Sequence, residues 1–403
     1  MKIAVVGLGF VGLVTSTVLS QYNEIIGIDI DKNKINKLNN NDLYIYEPGL
    51  TELFIGNSSR MNFYNDYENA KKADIAFICV PTPTVNNKID VSYVEEAVKS
   101  LSNVSNKIPI VIKSTVVPGT ASMLSGQVSN CILSNPEFLR EGSAVYDTIH
   151  PDRIVIGSKN SENIKILSEI WEFTKSPILK TTNGNAELIK YASNAFLAVK
   201  ISFINEIADL CQKIPNTDVE AIAEGMGMDH RIGKDFLRAG IGFGGSCFPK
   251  DTRAIVSFAR EKGIDLNIIN DAINVNNNRI KKALELIEKT TGNLNGKKIL
   301  LLGLSFKNDT NDLRESKSIE LANELIRRGS IVYAYDPIVK DYDGITMVKN
   351  IDDYNYDCIV ISSEWNEFKN NDIYNKNKNV IDLRRIIDLN LYPGVRAIGV
   401  HYD

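Results

Sequence analysis

The chain has 403 residues, 43% of them hydrophobic and 24% charged, with a formal net charge of −4. That balance is ordinary for a globular enzyme and excludes the global basic field that wholesale nucleic-acid binding needs. Five scattered cysteines and three histidines, with no CxxC or Cys/His cluster, argue against a disulfide framework and a metal site, and reduced thiols fit a cytoplasmic setting.

Residues 2–9, KIAVVGLG, form a β-branched run that stops at glycine, which predicts a buried strand. FVGLVTSTVLSQ then predicts a helix. The apolar stretch 3–20 carries three glycines and several hydroxyl residues and ends in no small-x-small site, so it does not read as a signal peptide. EIIGIDID, ADIAFICVPTPT, IPIVIKSTVVPGT and RIVIGS continue a series of strands, with helical stretches such as SYVEEAVKSLSNV between them. Strands alternating with helices imply a doubly wound parallel sheet, and residues 1–184 form the expected Rossmann domain.

From residue 185 the pattern changes. NAELIKYASNAFLAVKISFINEIADLCQKI lacks glycine and proline, and its apolar positions recur at three and four, as in Leu188, Tyr191, Ala195 and Ala198. This predicts one long central helix, of the kind that bridges domains or forms a subunit interface. Helical pattern continues to about residue 290, so 185–290 is the expected helical region. TGNLNGK is turn-rich. After it KKILLLGLSF, SIVYAYDP and DCIVISS predict strands, with SIELANELIRRG as a helix, giving a second Rossmann-like domain over 291–403.

Gly7, Gly9 and Gly12 make a G-x-G-x-x-G turn between the first strand and helix. The first glycine permits the turn, the second lets backbone approach a pyrophosphate, and the third lets helix pack on strand. Asp29 ends the second strand, where a carboxylate binds ribose hydroxyls and repels a 2′-phosphate, so NAD is favoured over NADP. Lys34 lies just beyond it, on the adenosine side. Thr82, Ser114 and Thr115 follow later strands and line the expected ligand crevice, although ordinary loop caps look the same at this level.

AGIGFGGSCFPKDTR, residues 239–253, is unlike a core segment. Gly242, Gly244 and Gly245 would let backbone approach a bulky ligand. Lys250 and Asp251 argue against deep burial, and a thiol at Cys247 in such a setting becomes a nucleophile if a cation or dipole lowers its pKa. The plainer reading is a small buried residue. Glu137 and Glu141 in NPEFLREG share a face if the stretch is helical. One of them then serves as general base on a water, or both form a solvated acidic face with Arg140. Lys190 and Asn194 lie one turn apart on the long helix and suit a substrate oxygen. A nicotinamide cofactor with a nucleophilic cysteine points to four-electron chemistry: alcohol to aldehyde, thiohemiacetal, thioester, then acid.

GLGFVGL, VPTPT, KSTVVPGT, NPEFLREGSAVYDTIHPDRIVIG, ELIKYASNAFLAVKISFINE, RIGKDFLRAGIGFGGSCFPKD and GLSFKNDTNDLRESKS, in this order, resemble the UDP-glucose/GDP-mannose dehydrogenase family over essentially the whole chain. The resemblance implies oxidation of UDP-glucose to UDP-glucuronate with two NAD, by a cytoplasmic homodimer with no membrane or nucleic-acid partner. It implies Cys247 as the thioester nucleophile. Asp251 and Lys190 assist it, with an ordered water near Thr115 and Asn194. Glu141 is implied as the hydrolytic base, with Glu137 beside it. Phe10, Val11, Lys250 and Arg314 join the cofactor residues, with Glu141 bordering them. Phe138, Leu139, Arg140, Phe243, Gly244, Phe306 and Lys307 meet the nucleotide sugar, with Arg384 or Arg385. Arg231 reaches a neighbouring subunit's site. STVVPGT departs from the family's commoner proline-valine-glycine order, which bears on Thr115. CFPKD argues against enzymes of UDP-N-acetylmannosamine, while GDP-mannose and other UDP-sugars stay open. A two-electron β-hydroxyacid dehydrogenase is the other enzyme class with a Rossmann domain, a long helix and a lysine–asparagine pair. A non-catalytic NAD-binding protein is the remaining alternative.

Overall fold

The computed structural model describes residues 1–85, 87–377 and 379–402, and the chain divides into two compact units, Met1–Ser193 and Asn194–Asp403. The first unit opens with β1 (Lys2–Val6), α1 (Phe10–Leu19), β2 (Glu24–Ile28), α2 (Lys32–Asn39), α3 (Leu50–Gly56) and β3 (Met61–Tyr64). β4 (Ile75–Ile78) is followed by a small hairpin of β5 (Thr84–Val85) and β6 (Lys88–Ile89). Then come α4 (Ser92–Val104), β7 (Ile110–Ile112), α5 (Thr120–Ser125), β8 (Ile132–Ser134) and α6 (Ala144–Ile149). β9 (Ile154–Gly157), α7 (Ser161–Ile170) and β10 (Ile178–Thr181) complete the sheet, whose order is β10-β9-β8-β7-β4-β1-β2-β3.

The strand runs are continuously apolar because both faces are covered. Ile3 and Val5 enter one buried layer and Ala4 and Val6 the other, following the two-residue period of a strand. The sheet is parallel except where β8 meets β9 antiparallel, a departure from the all-parallel expectation. As a result the segment after β8 and the segment before β9 lie at the same end of the sheet. The chain reverses direction across the sheet between β1 and β4, and ligands of such folds bind at that switch point.

α8 (Asn183–Cys211) is the long helix foreseen, 29 residues in all, and it runs from the first unit into the second. Tyr191, Ala195 and Ala198 are buried as expected, but Leu188 is 46% exposed. The second unit continues with α9 (Val219–Gly227), α10 (Phe248–Glu261), α11 (Asn267–Thr291) and β11 (Lys298–Leu302). TGNLNGK makes the turn between the last two, with Gly292 and Gly296 both at positive φ. α12 (Lys317–Arg327), β12 (Ile331–Tyr335), β13 (Thr346–Met347), β14 (Cys358–Ile361), α13 (Ile373–Lys376), β15 (Val380–Asp382) and β16 (Val395–Ala397) follow. The sheet β13-β12-β11-β14-β15-β16 is parallel, and Ile299 and Leu301 face one apolar layer while Leu300 and Leu302 face the other. This is the second Rossmann-like sheet that the sequence predicts.

Candidate active site

In the first unit the glycine turn follows β1. Gly7 has φ +87°, and a Cβ there would stand 2.8 Å from the Cys79 carbonyl, so no other residue fits between β1 and β4. A Cβ on Gly12 would lie 1.8 Å from the Gly7 carbonyl oxygen, which sets how closely α1 packs on the turn. Gly9 faces open space and caps α1 with no side-chain hydrogen bond, leaving a helix N-terminus open to an anion. Phe10 and Val11 pack against the core beside it. These residues fit a dinucleotide. Asp29 is buried, accepts the Leu8 and Asp31 N–H groups at 2.8 and 3.0 Å, and stands 3.6 Å from Lys34 Nζ. Thr82 is half-buried beyond β4. Ser114 Oγ donates to the Val80 carbonyl at 2.7 Å, so this hydroxyl ties β7 to β4. A cavity of about 10 Å³, near the volume of one water site, is lined by Ser114, Thr115, Glu187 and Lys190.

The acid segment is not a helix. Residues 135–140 form an irregular loop after β8, so Glu137 and Glu141 do not share a helical face. Pro136 and the turn imposed by the antiparallel return to β9 account for the difference. Glu137 is buried and accepts from Lys190 Nζ at 2.8 Å and from the Leu139 N–H at 2.6 Å. Burial pushes its carboxyl up, but the Lys190 charge and hydrogen bond, the Leu139 N–H and the Lys113 charge outweigh that and hold it below its ordinary range. Arg140 forks onto Asp147 at 3.0 and 2.6 Å. Glu141 is half-buried, and Glu47 fixes the chain just beyond it by accepting the Gly142 and Ala144 N–H groups. The Phe138 ring has the Arg153 guanidinium 3.7 Å and Lys190 Nζ 5.5 Å from its centroid.

In the second unit Cys247 is the N-cap residue of α10, a 14-residue helix with Pro249 in its first turn. A thiol at a helix N-terminus feels the positive end of the dipole, which favours the thiolate. Cys79, by contrast, has its thiol pushed up to about 12 by burial, despite the Lys113 charge. Asp251 is only 1% exposed, contrary to the expectation that it keeps the segment shallow. Its burial is offset by two charge-assisted bonds, from Asn194 Nδ2 at 2.7 Å and Lys250 Nζ at 2.6 Å. Asn194 lies one turn after Lys190 on α8, which places both on one helical face.

The glycines serve the protein's own packing rather than an open ligand space. A Cβ on Gly242 would meet Asn276 Oδ1 at 2.4 Å, one on Gly244 the Glu315 carbonyl at 2.2 Å, and one on Gly245 the Phe306 ring at 2.7 Å. Asn276 clamps Phe243 by accepting its N–H at 2.7 Å and donating to its carbonyl at 3.0 Å. Lys307 Nζ stands 5.7 Å from the Phe306 centroid. Arg384 is buried, bonded to the Ser362 carbonyl and paired with Glu364 at 3.3 Å. Arg385 pairs with Asp218 at 2.7 Å. Arg314 pairs with Asp312, and Arg231 with Asp229, both on exposed surface.

The structure thus brings Glu137 to Lys190 within the first unit, and Asn194 and Lys250 to Asp251 within the second. Sequence reasoning missed Glu47, Lys113, Glu187 and Asn276. Glu187 precedes Lys190 by three on α8, a spacing that marks a shared face. Lys113 directly precedes the Ser114–Thr115 pair. Nothing local points to Glu47 or Asn276.

Three domains of the UDP-glucose/GDP-mannose dehydrogenase family match the chain: the NAD binding domain over residues 1–175, the central domain over 184–278 and the UDP binding domain over 300–389. UDP-glucose 6-dehydrogenase YwqF of Bacillus subtilis is 42% identical over 92% of this chain and 89% of that protein. UDP-glucose 6-dehydrogenase of Rhizobium meliloti is 39% identical over 97% of this chain and 96% of that protein. The structure of a UDP-glucose dehydrogenase from Pyrobaculum islandicum superposes with a TM-score of 0.93 at 34% identity, covering 100% of this chain and 98% of that one.

Proposed function

The chain belongs to the UDP-glucose/GDP-mannose dehydrogenase family, and from that premise we propose that it oxidises UDP-glucose at C6 to UDP-glucuronate through a covalent intermediate on Cys247. It is an NAD-dependent oxidoreductase of nucleotide sugars. The observation that carries the covalent reading is the Cys247 thiol at the N-terminus of α10, with Asp251 fixed in the first turn.

The Gly7–Gly12 turn would hold NAD, which would supply the hydride acceptor for each of the two oxidations. The residues of the chain do the rest. Lys190 and Asn194 hold the substrate oxygen, and the alcohol proton leaves to the water beside them. The Cys247 thiolate adds to the aldehyde carbon, so that the carbon becomes tetrahedral and can lose a second hydride. The thioester so formed is attacked by water, whose proton passes to Glu141, and the thiolate leaves. Glu137 keeps Lys190 protonated and aimed. Asp251, anchored by Asn194 and Lys250, fixes the start of α10 and hence the thiol. Phe138, Leu139, Arg140, Phe243, Gly244, Phe306 and Lys307 border the nucleotide sugar in this reading, and Thr82, Ser114, Thr115 and Arg314 the cofactor. Arg384 and Arg385 set the loop of the UDP binding domain through their pairs with Glu364 and Asp218.

The enzyme acts as a homodimer in this reading, with residues 185–290, between the Rossmann domains 1–184 and 291–403, as the helical dimerisation region. Large apolar side chains on the outer face of α8 support that assignment. Among the described residues no helix is long and apolar enough to cross a membrane, and the cytoplasm is the compartment proposed.

NADH counted per UDP-glucose, with product mass, tests the reading. Two NADH and UDP-glucuronate are expected, with UDP-glucose preferred over GDP-mannose in kcat/KM. Cys247→Ser is expected to make no acid while binding NAD as tightly as the parent. A reproducible ratio of one NADH, or full activity of the Cys247→Ser protein, would sink the covalent mechanism.

A further inference from the structure

A second cavity, about 160 Å³, lies within the first unit and is lined in part by the Glu137 loop. Its charged lining is Lys113, Arg140, Arg153, Glu137, Asp147 and Asp152. Glu137 is taken by Lys190 and Asp147 by Arg140. That leaves two cations, Lys113 and Arg153, against one carboxylate, Asp152. Among the described residues neither cation has a carboxylate within ion-pair distance or a hydrogen bond to the protein. Each lies instead on an aromatic ring: Lys113 Nζ is 4.8 Å from the Trp171 centroid and the Arg153 guanidinium 3.7 Å from that of Phe138.

An aromatic face is worth about 2 kcal/mol to a desolvated cation, while taking the cation out of water costs several kcal/mol. Lys113 is only 5% exposed. Trp171 therefore orients the ammonium, while the Glu137 carboxylate acts on it only from beyond ion-pair distance, and burial pushes its pKa down. The cavity has room for several waters, or for one small anion with some of that water. A guanidinium fork beside an ammonium suits two oxygens on one centre.

We propose that this cavity binds a small oxyanion, of the carboxylate or phosphate class, held by Lys113 and Arg153. The site adjoins the substrate loop, since Glu137, Phe138, Leu139 and Arg140 line it, but the glycine turn and Cys247 do not, and Lys113, Arg153 and Trp171 touch neither ligand in the reaction derived above.

The chain has two tryptophans, so a Trp365→Phe protein leaves Trp171 as the reporter. With NAD saturating, to fill the pyrophosphate turn, Trp171 emission is followed against sodium phosphate and separately against sodium acetate, at constant ionic strength made up with sodium chloride. A saturable change with one of them is expected, weakened about tenfold or more by Lys113→Met and by Arg153→Gln, as loss of a charge-assisted hydrogen bond implies. A response to acetate alone assigns the site to carboxylates, and to phosphate alone assigns it to phosphates. If Lys113→Met fails to fold, Arg153→Gln carries the test. A merely linear response, an unchanged response in the variants, or displacement of the anion by UDP would overturn the proposal, the last because the cavity would then be part of the nucleotide-sugar pocket.

Discussion

Glu137 and Lys190 each bury a charge that neither could hold alone. With the two side chains 7% and 4% exposed, the 2.8 Å pair is what keeps both ionised. Replacing Glu137 by Gln leaves the Lys190 ammonium uncompensated, and breaking a buried pair in this way costs about 3–5 kcal/mol. Urea unfolding at neutral pH is expected to show that loss. The pH dependence has a definite sign. The folded carboxyl sits below its ordinary value of 4.5, so its contribution is fully present above that value and is lost as pH falls through the folded one. The stability gap between parent and Glu137→Gln is therefore constant around neutrality and narrows in acid below the ordinary carboxylate range. A gap that widened on acidification would contradict the ion pair as the source. Glu187, three residues before Lys190, goes the other way: burial raises its carboxyl, although the Ala121 and Gly119 N–H groups and Ser134 pull it down.

The loop that ends at Cys247 depends on α11 as an element. Asn276 supplies both a donor and an acceptor to the buried backbone of Phe243, and Gly242 exists to let that amide in. Asn276→Ala strips both bonds from groups that water cannot reach, at about 1–3 kcal/mol for each group left unmade. Because the loop leads directly into the N-cap of α10, kcat is expected to fall more than KM rises, with NAD affinity unchanged. Equal losses in NAD affinity would show general unfolding instead. Elements of this kind were the limit of sequence reading. The strands β1, β2, β4, β11 and β14 were legible because burial on both faces makes them unbroken apolar runs, and β12 by its β-branched and aromatic residues, although only one of its faces is buried. β13, with two residues, and β15 and β16, with three each, are too short to show a period. Cys247, Lys190 and Asn194 stood out by spacing and by their glycine or helical setting. Asn276 was invisible because its partner is 33 residues away, and Asp251 was misjudged because the two groups that permit its burial come from its neighbour and from another helix.

The whole molecule repeats one device in each unit. Gly7 and Gly303 both sit at positive φ after the first strand of their sheets, and both accept no Cβ. Asp29 accepts the Leu8 N–H at 2.8 Å, and Asp336 accepts the Leu304 N–H at 2.8 Å. Two sheets thus present two switch-point turns of the same construction, one matched to the NAD binding domain and the other to the UDP binding domain.

Association of two such chains is argued from α8. One face of the helix is buried within the chain, yet the other carries Phe196, Phe203 and Leu210, 65%, 44% and 54% exposed, at seven-residue spacing. A helix apolar on both faces needs a second surface to cover it, and burying each phenylalanine is worth about 1.5–3 kcal/mol. The parent is expected to sediment as a dimer and the double variant Phe196→Asp, Phe203→Asp as a monomer. Equal sedimentation of the two would reject this face. Symmetry then allows a sharper test. In a two-fold dimer each site can receive the partner subunit's Arg231, whose exposed side chain pairs with its neighbour Asp229 within the chain. Arg231→Ala and Cys247→Ser homodimers are each expected to be inactive. After subunits are exchanged, half the dimers are mixed, and each mixed dimer pairs one intact Cys247 with the other chain's intact Arg231. Activity should therefore return to about a quarter of the parent's. If Arg231 served its own chain's site, the mixed dimer would hold no complete site and mixing would restore nothing.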